Sequence, residues 1–188
     1  MRLALGIGIL CFLAAVAIFF ATTAPKAHVY GEAYVYGAIL RSAFYVGLAA
    51  GGCAYAMRCG GAPERIAGWI ILATVLADPL LHLVLQPRFR EVDPTHLIVD
   101  IARFAGLTAI ALRANRYWPI WLSAFQLLAL AAHLAKAMDV AIHPVVYGVM
   151  QVVWSYGILI GLILATRTHR RLTANGATRR SWSVFSPS

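Results

Sequence analysis

From residue 3 to residue 166 the chain is written almost entirely as apolar stretches of about 20 residues, broken by short clusters of Pro, Gly and Arg. About 20 predominantly apolar residues are what a helix needs to cross the hydrocarbon core of a bilayer, so few folds are open to such a chain. Six stretches are legible, at 3–22, 33–57, 66–86, 95–113, 118–138 and 143–166. All are expected to be helices, because an open sheet in lipid leaves backbone N–H and C=O groups unpaired. Hydrophobic residues make up 61% of the chain and charged ones 12%, against roughly 45–50% and about 25% in soluble domains. That balance excludes a water-soluble globule, a disordered chain and a disulfide-stapled secreted module. The expected fold is all-α: a polytopic membrane bundle of about six transmembrane helices over residues 1–166, followed by a basic, Ser-rich, flexible tail over 167–188.

The first stretch is expected to be a retained span rather than a cleaved signal. Its apolar run exceeds the usual signal core of about 7–15 residues, and Pro25 is a poor residue after a cleavage site. Cys11, Cys53 and Cys59 are an odd number with no CxxC pair, so neither a disulfide framework nor a redox motif is indicated.

The formal net charge of +9 would suggest nucleic-acid binding in a soluble chain, yet the excess sits in short loops and in the tail. In a membrane protein that pattern sets orientation. One side holds Arg2, Arg58, Arg65, Arg113, Arg116, Arg167, Arg170, Arg171, Arg179 and Arg180; the other holds only Lys26, Arg88, Arg90 and Lys136. With six spans, both termini are then cytoplasmic, most simply in the inner (plasma) membrane. Arg167, Arg170 and Arg171 are placed to hold anionic lipid headgroups, and no nucleic-acid partner is expected.

On this topology the acids and imidazoles concentrate toward the outside, with Glu64 and His169 left on the basic side. The residues inside spans matter most, because a charge in lipid must be paired, hydrated or able to snorkel. Arg41, Asp78, His82, His96, Asp100, Arg103 and His133 form the candidate polar site, with Gln126 also within a span. Arg41 and Asp78 each lie eight residues from an outer span end, or about 12 Å at 1.5 Å per residue. An ion pair between them is expected, as is a local Asp100–Arg103 pair three residues apart on one helix face. Asp78 with His82, His96 with Asp100 and Asp139 with His143 share a spacing of four, which lets a carboxylate orient an imidazole. His82 and His133, at similar depth, are the candidate ligands for a b-type haem or a metal ion, although no HxxxH or HExxH motif accompanies them.

Two GxxxG motifs, Gly47 with Gly51 and Gly157 with Gly161, are expected to bring helices into close contact, on each other or on a partner membrane protein. No Walker motif, GxSxG elbow, Gly-rich nucleotide fingerprint or CDP-alcohol transferase signature occurs. The reading that needs least is a non-catalytic accessory or assembly component of a membrane complex. Its alternatives are a small transporter or proton-coupled carrier with an outward-facing Asp/His/Arg cavity, and an outer-leaflet metal- or haem-binding enzyme or redox subunit.

Overall fold

The computed structural model describes residues 32–84, 94–139, 142, 144–176 and 180–182. They form five helices: α1 Glu32–Cys59, α2 Ala62–Val84, α3 Pro94–Arg113, α4 Trp118–Met138 and α5 Pro144–Ala174. Four of these begin with proline at the first or second position, Pro63, Pro94, Pro119 and Pro144. There the missing N–H costs nothing, because the first turn has no intrahelical acceptor for it. The expected first span, 3–22, lies outside the described residues.

Each helix packs on its neighbours in sequence, and α5 returns to pack on α1, closing a ring in which α2 also touches α5. Turns are short, and the α1–α2 turn shows why. Gly60 donates its N–H to the Ala56 carbonyl at 2.9 Å, and a Cβ there would lie 2.5 Å from both the Ala56 oxygen and the Glu64 Cβ. Only glycine lets α2 reverse this closely on α1.

The distribution of side chains is inverted relative to a water-soluble bundle. Leu40, Phe44, Trp69, Ile101, Leu112, Trp121, Leu127, Leu134, Val153, Ile160 and Leu164 point outward and are exposed. Thr74, Asp100, Arg103, Ser123, Gln126, His133, Lys136 and Thr166 are buried inside. Between them sits a modest apolar core of Ile71, Leu107, Leu122, Ile158, Leu159 and Leu162 with small Ala49, Cys53, Ala56 and Ala67. A surface this apolar would associate in water; against lipid it is the solvated face. Helices α3, α4 and α5 are long and apolar enough to cross a membrane. α1 and α2 match them in length, at 28 and 23 residues. Together these features mark an integral membrane helical bundle.

The GxxxG motifs do not meet. Gly161 faces α4, where an added Cβ would come within 2.7 Å of Leu122, and Gly157 faces Phe125. Gly47 and Gly51 have nothing within 4 Å of an added Cβ. α1 contacts α5 one residue away from its motif, at Gly52 against Ile163, so the rotation of α1 turns the two glycines outward.

The tail also differs from the flexible segment expected from residue 167. Helix α5 continues to Ala174, carrying Arg167, Arg170 and Arg171 exposed on its last turns. Ser181 accepts a hydrogen bond from the Asn115 N–H at 3.2 Å, and Trp182 packs against the apolar core. An aromatic ring with an apolar surface to cover is enough to hold this return.

Candidate functional site

The half of the bundle holding the N-termini of α1, α3 and α5 encloses a cavity of about 370 Å³. α1 contributes Arg41, Ser42 and Tyr45, α2 contributes Asp78 and Pro79, α3 contributes His96, Asp100 and Arg103, and α5 contributes Gln151, Ser155 and Tyr156. Pro79 lies within α2. Lacking an N–H, it cannot bond the carbonyl of Val75, which also lines the cavity.

The wall is organised by bonds that cross between helices. His96 Nδ1 lies 2.8 Å from Asp78 Oδ1, linking α3 to α2. His133 Nε2 lies 3.1 Å from Asp100 Oδ2, linking α4 to α3, with His133 almost fully buried. The other ring nitrogen, Nδ1, is 2.7 Å from the Tyr147 hydroxyl on α5, and the Gln151 amide sits 2.8 Å from Nε2. A neutral His133 that donates from Nε2 to the carboxylate leaves Nδ1 to accept from Tyr147, and the Gln151 amide then meets Nε2 through its oxygen. Arg103 donates from Nε to Thr74 Oγ1 at 2.9 Å, and its guanidinium is 3.8 Å from Asp100. Asp100 is therefore shared between an imidazole on one side and an arginine on the other. That is what a carboxylate held inside a membrane bundle requires.

Of the candidate polar residues, Arg41, Asp78, His96, Asp100 and Arg103 line one cavity and His133 bonds Asp100, with other partners than spacing and depth suggest. Arg41 and Asp78 line the same cavity, while the ion pair of Asp78 is with His96. The rotation of α3, which swings His96 onto α2, is not visible from depth along an axis. For the same reason His96 and Asp100 do not bond each other but reach to different helices. The local Asp100–Arg103 pair is present. The side chain of His82, and His143 altogether, lie outside the described residues, so the pairs Asp78–His82 and Asp139–His143 do too. Among the described residues no group of three His, Cys, Asp or Glu side chains could hold a metal ion. Ligation of a haem or metal by His133 would have to replace one of the hydrogen bonds its ring already makes.

Thr74, Tyr147, Gln151 and Tyr156 were not singled out by sequence, although Tyr147 and Gln151 stand four apart in an apolar run and so share a face. Gln126 is fully buried beside Asp100.

A second polar cluster closes the opposite end. Trp118 Nε1 donates to Glu64 Oε1 at 3.0 Å, with Glu64 almost fully buried. Arg116 approaches His169 Nδ1 at 3.3 Å. These contacts tie the α1–α2 turn, the α3–α4 turn and the end of α5 together, beside the returning Trp182. The cavity and this closure lie at opposite ends of the bundle.

Comparison with protein-family models, with characterised proteins and with solved structures finds no match to the chain.

Proposed function

We propose that this protein is a small proton-coupled carrier. In this reading it has six spans with both termini in the cytoplasm of a cell whose inner (plasma) membrane holds it, and the cavity opens to the outside. The observation that carries the reading is the cavity itself: two arginines, two aspartates and an imidazole lining about 370 Å³ between four helices. Helix register alone needs paired charges but no space between them, and ionisable groups lining a cleft inside a membrane bundle are costly unless something polar occupies it. Two imidazole–carboxylate pairs, Asp78–His96 and Asp100–His133, set proton donors against acceptors at and behind the cavity wall. The polar closure around Glu64 and Trp118 supports access from one end only.

The test is solute-driven proton flux. The full chain is reconstituted in liposomes containing a pH-sensitive dye, and small anions, cations and zwitterions are added outside in turn. One class is expected to drive acidification or alkalinisation that Asp100→Asn abolishes. Flux absent for every class, with correctly inserted protein, would reject the carrier.

A second reading, the accessory subunit, is favoured by one separate observation. Gly47 and Gly51 present a face of α1 with nothing within 4 Å, and Leu40 and Phe44 beside them are exposed. Such a face suits a partner helix as well as lipid. Co-purification that depends on Gly47 and Gly51 tests it.

A further inference from the structure

We infer that the cavity binds an oxyanion, a carboxylate or phosphate group, on Arg41. The inference rests on the cavity being a ligand site, but it does not require transport.

The charges around the wall are unevenly committed. Asp78 is engaged by His96 at 2.8 Å. Asp100 is engaged by His133 at 3.1 Å and by Arg103 at 3.8 Å. Arg103 in turn is fixed by Thr74 and is almost fully buried. Both carboxylates and one of the two arginines are thus committed to partners within the wall. Arg41 is not: among the described residues no carboxylate oxygen lies within 4.0 Å of its guanidinium, although it lines the same cavity. Ser42, Ser155, Tyr45 and Tyr156 share the wall with it, and the Tyr156 hydroxyl reaches the Arg41 backbone carbonyl at 3.5 Å.

A guanidinium presents five N–H donors in a planar fork that matches two oxygens of a carboxylate or phosphate. Inside a bundle it is stabilised by an anion and gains little from a neutral solute. The hydroxyls of Ser42 and Ser155 can donate to the same oxygens. The volume, about 370 Å³, lies at the small end of the ligand-pocket range of roughly 300–1,000 Å³, which suits a small organic acid or a single phosphate-bearing group. Arg41 is also exposed on α1, so the oxyanion belongs either to a free solute or to a lipid headgroup reaching in from the side.

The experiment uses the full chain purified in a phospholipid-free, uncharged detergent at constant ionic strength. Sodium phosphate and sodium acetate are titrated by calorimetry and by thermal shift, with glycerol and tetraethylammonium chloride as neutral and cationic controls. Phosphatidylglycerol is added in mixed micelles as a separate arm. At least one oxyanion is expected to bind saturably, to weaken at least tenfold in Arg41→Gln, and to recover in part in Arg41→Lys, which keeps the charge but loses the fork. Arg58→Gln, at the other end of α1, should leave binding unchanged. Saturable binding of phosphate or acetate assigns a free solute, and binding of phosphatidylglycerol alone assigns a headgroup; both support the site. Equal binding in wild type, Arg41→Gln and Arg41→Lys, or stabilisation by tetraethylammonium and by no oxyanion, overturns it. Should Arg41→Gln fail to fold, Arg41→Lys carries the test, since loss of the fork alone must weaken binding. Oxyanion binding without proton flux in liposomes would leave this site standing and remove the carrier; proton flux with no saturable oxyanion binding would do the reverse.

Discussion

The Oδ2 of Asp100 and the Nε2 of His133 are 3.1 Å apart, joining α3 to α4 in the interior of the bundle. Because Arg103 lies on the other side of the same carboxylate, Asp100→Asn removes the negative charge between a cation and an imidazole. Breaking a buried pair in this way typically costs about 3–5 kcal/mol. The single variant should melt well below wild type in detergent, and Asp100→Asn combined with Arg103→Met should regain much of the loss. A double variant no more stable than the single one would show that the two charges do not act as a pair.

The Asp78–His96 pair should behave differently. Its side chains are 30% and 41% exposed, and ion pairs this open contribute about 0–1 kcal/mol. Asp78→Asn and His96→Gln are therefore expected to shift the melting temperature little while changing solute-driven proton flux severalfold. A large loss of stability with intact flux would make the pair structural.

At the closed end, Trp118→Phe keeps the ring's bulk but removes the N–H that Glu64 accepts at 3.0 Å. The Glu64 Oε2 already has no hydrogen bond among the described residues, so the carboxylate would lose its bonded oxygen as well. An unsatisfied buried acceptor costs about 1–3 kcal/mol, and more when charged. Thermal melts of Trp118→Phe should show that loss, and Trp118→Phe with Glu64→Gln should show less of it.

Glycine substitutions separate turn geometry from docking. Gly60→Ala would put a methyl group 2.5 Å from the Ala56 carbonyl, where the obstacle is backbone and cannot rotate away; overpacking of this kind costs about 1–3 kcal/mol. Gly47→Ala meets nothing within 4 Å and should leave the melting temperature within about a degree or two, the scale of surface substitutions. If Gly47→Leu nevertheless abolishes a co-purifying membrane protein, the accessory reading gains over the carrier.

Orientation is tested by reporter fusions in the 58–65 turn and the 87–94 loop. The first should read cytoplasmic and the second external, in keeping with the excess of arginine on the first side. The opposite result would turn the cavity toward the cytoplasm and remove the outward-opening carrier.

The positions of the helices were legible in the sequence to within a few residues at most ends. Stretches expected at 33–57, 66–86, 95–113 and 118–138 stand as Glu32–Cys59, Ala62–Val84, Pro94–Arg113 and Trp118–Met138. The reason is that the length of an apolar run, a proline that can only begin a helix and a glycine that permits a turn are local properties. The last helix, expected to stop at 166, reaches Ala174, since an apolar pattern marks where a helix leaves lipid and not where it ends. That Arg41, Asp78, Asp100, Arg103 and His133 each need partners was legible too, because the cost of a charge in a span depends on the charge and the depth alone. Who the partners are was decided by the fold. Residues four apart share a face whichever way that face points, and equal depth leaves the rotation of each helix about its axis free. Packing of Gly161 on Leu122, of Gly52 on Ile163 and of Gly106 on Ile70 sets those rotations. They turn Asp100 to His133 and Asp78 to His96, and they leave Arg41 facing the cavity.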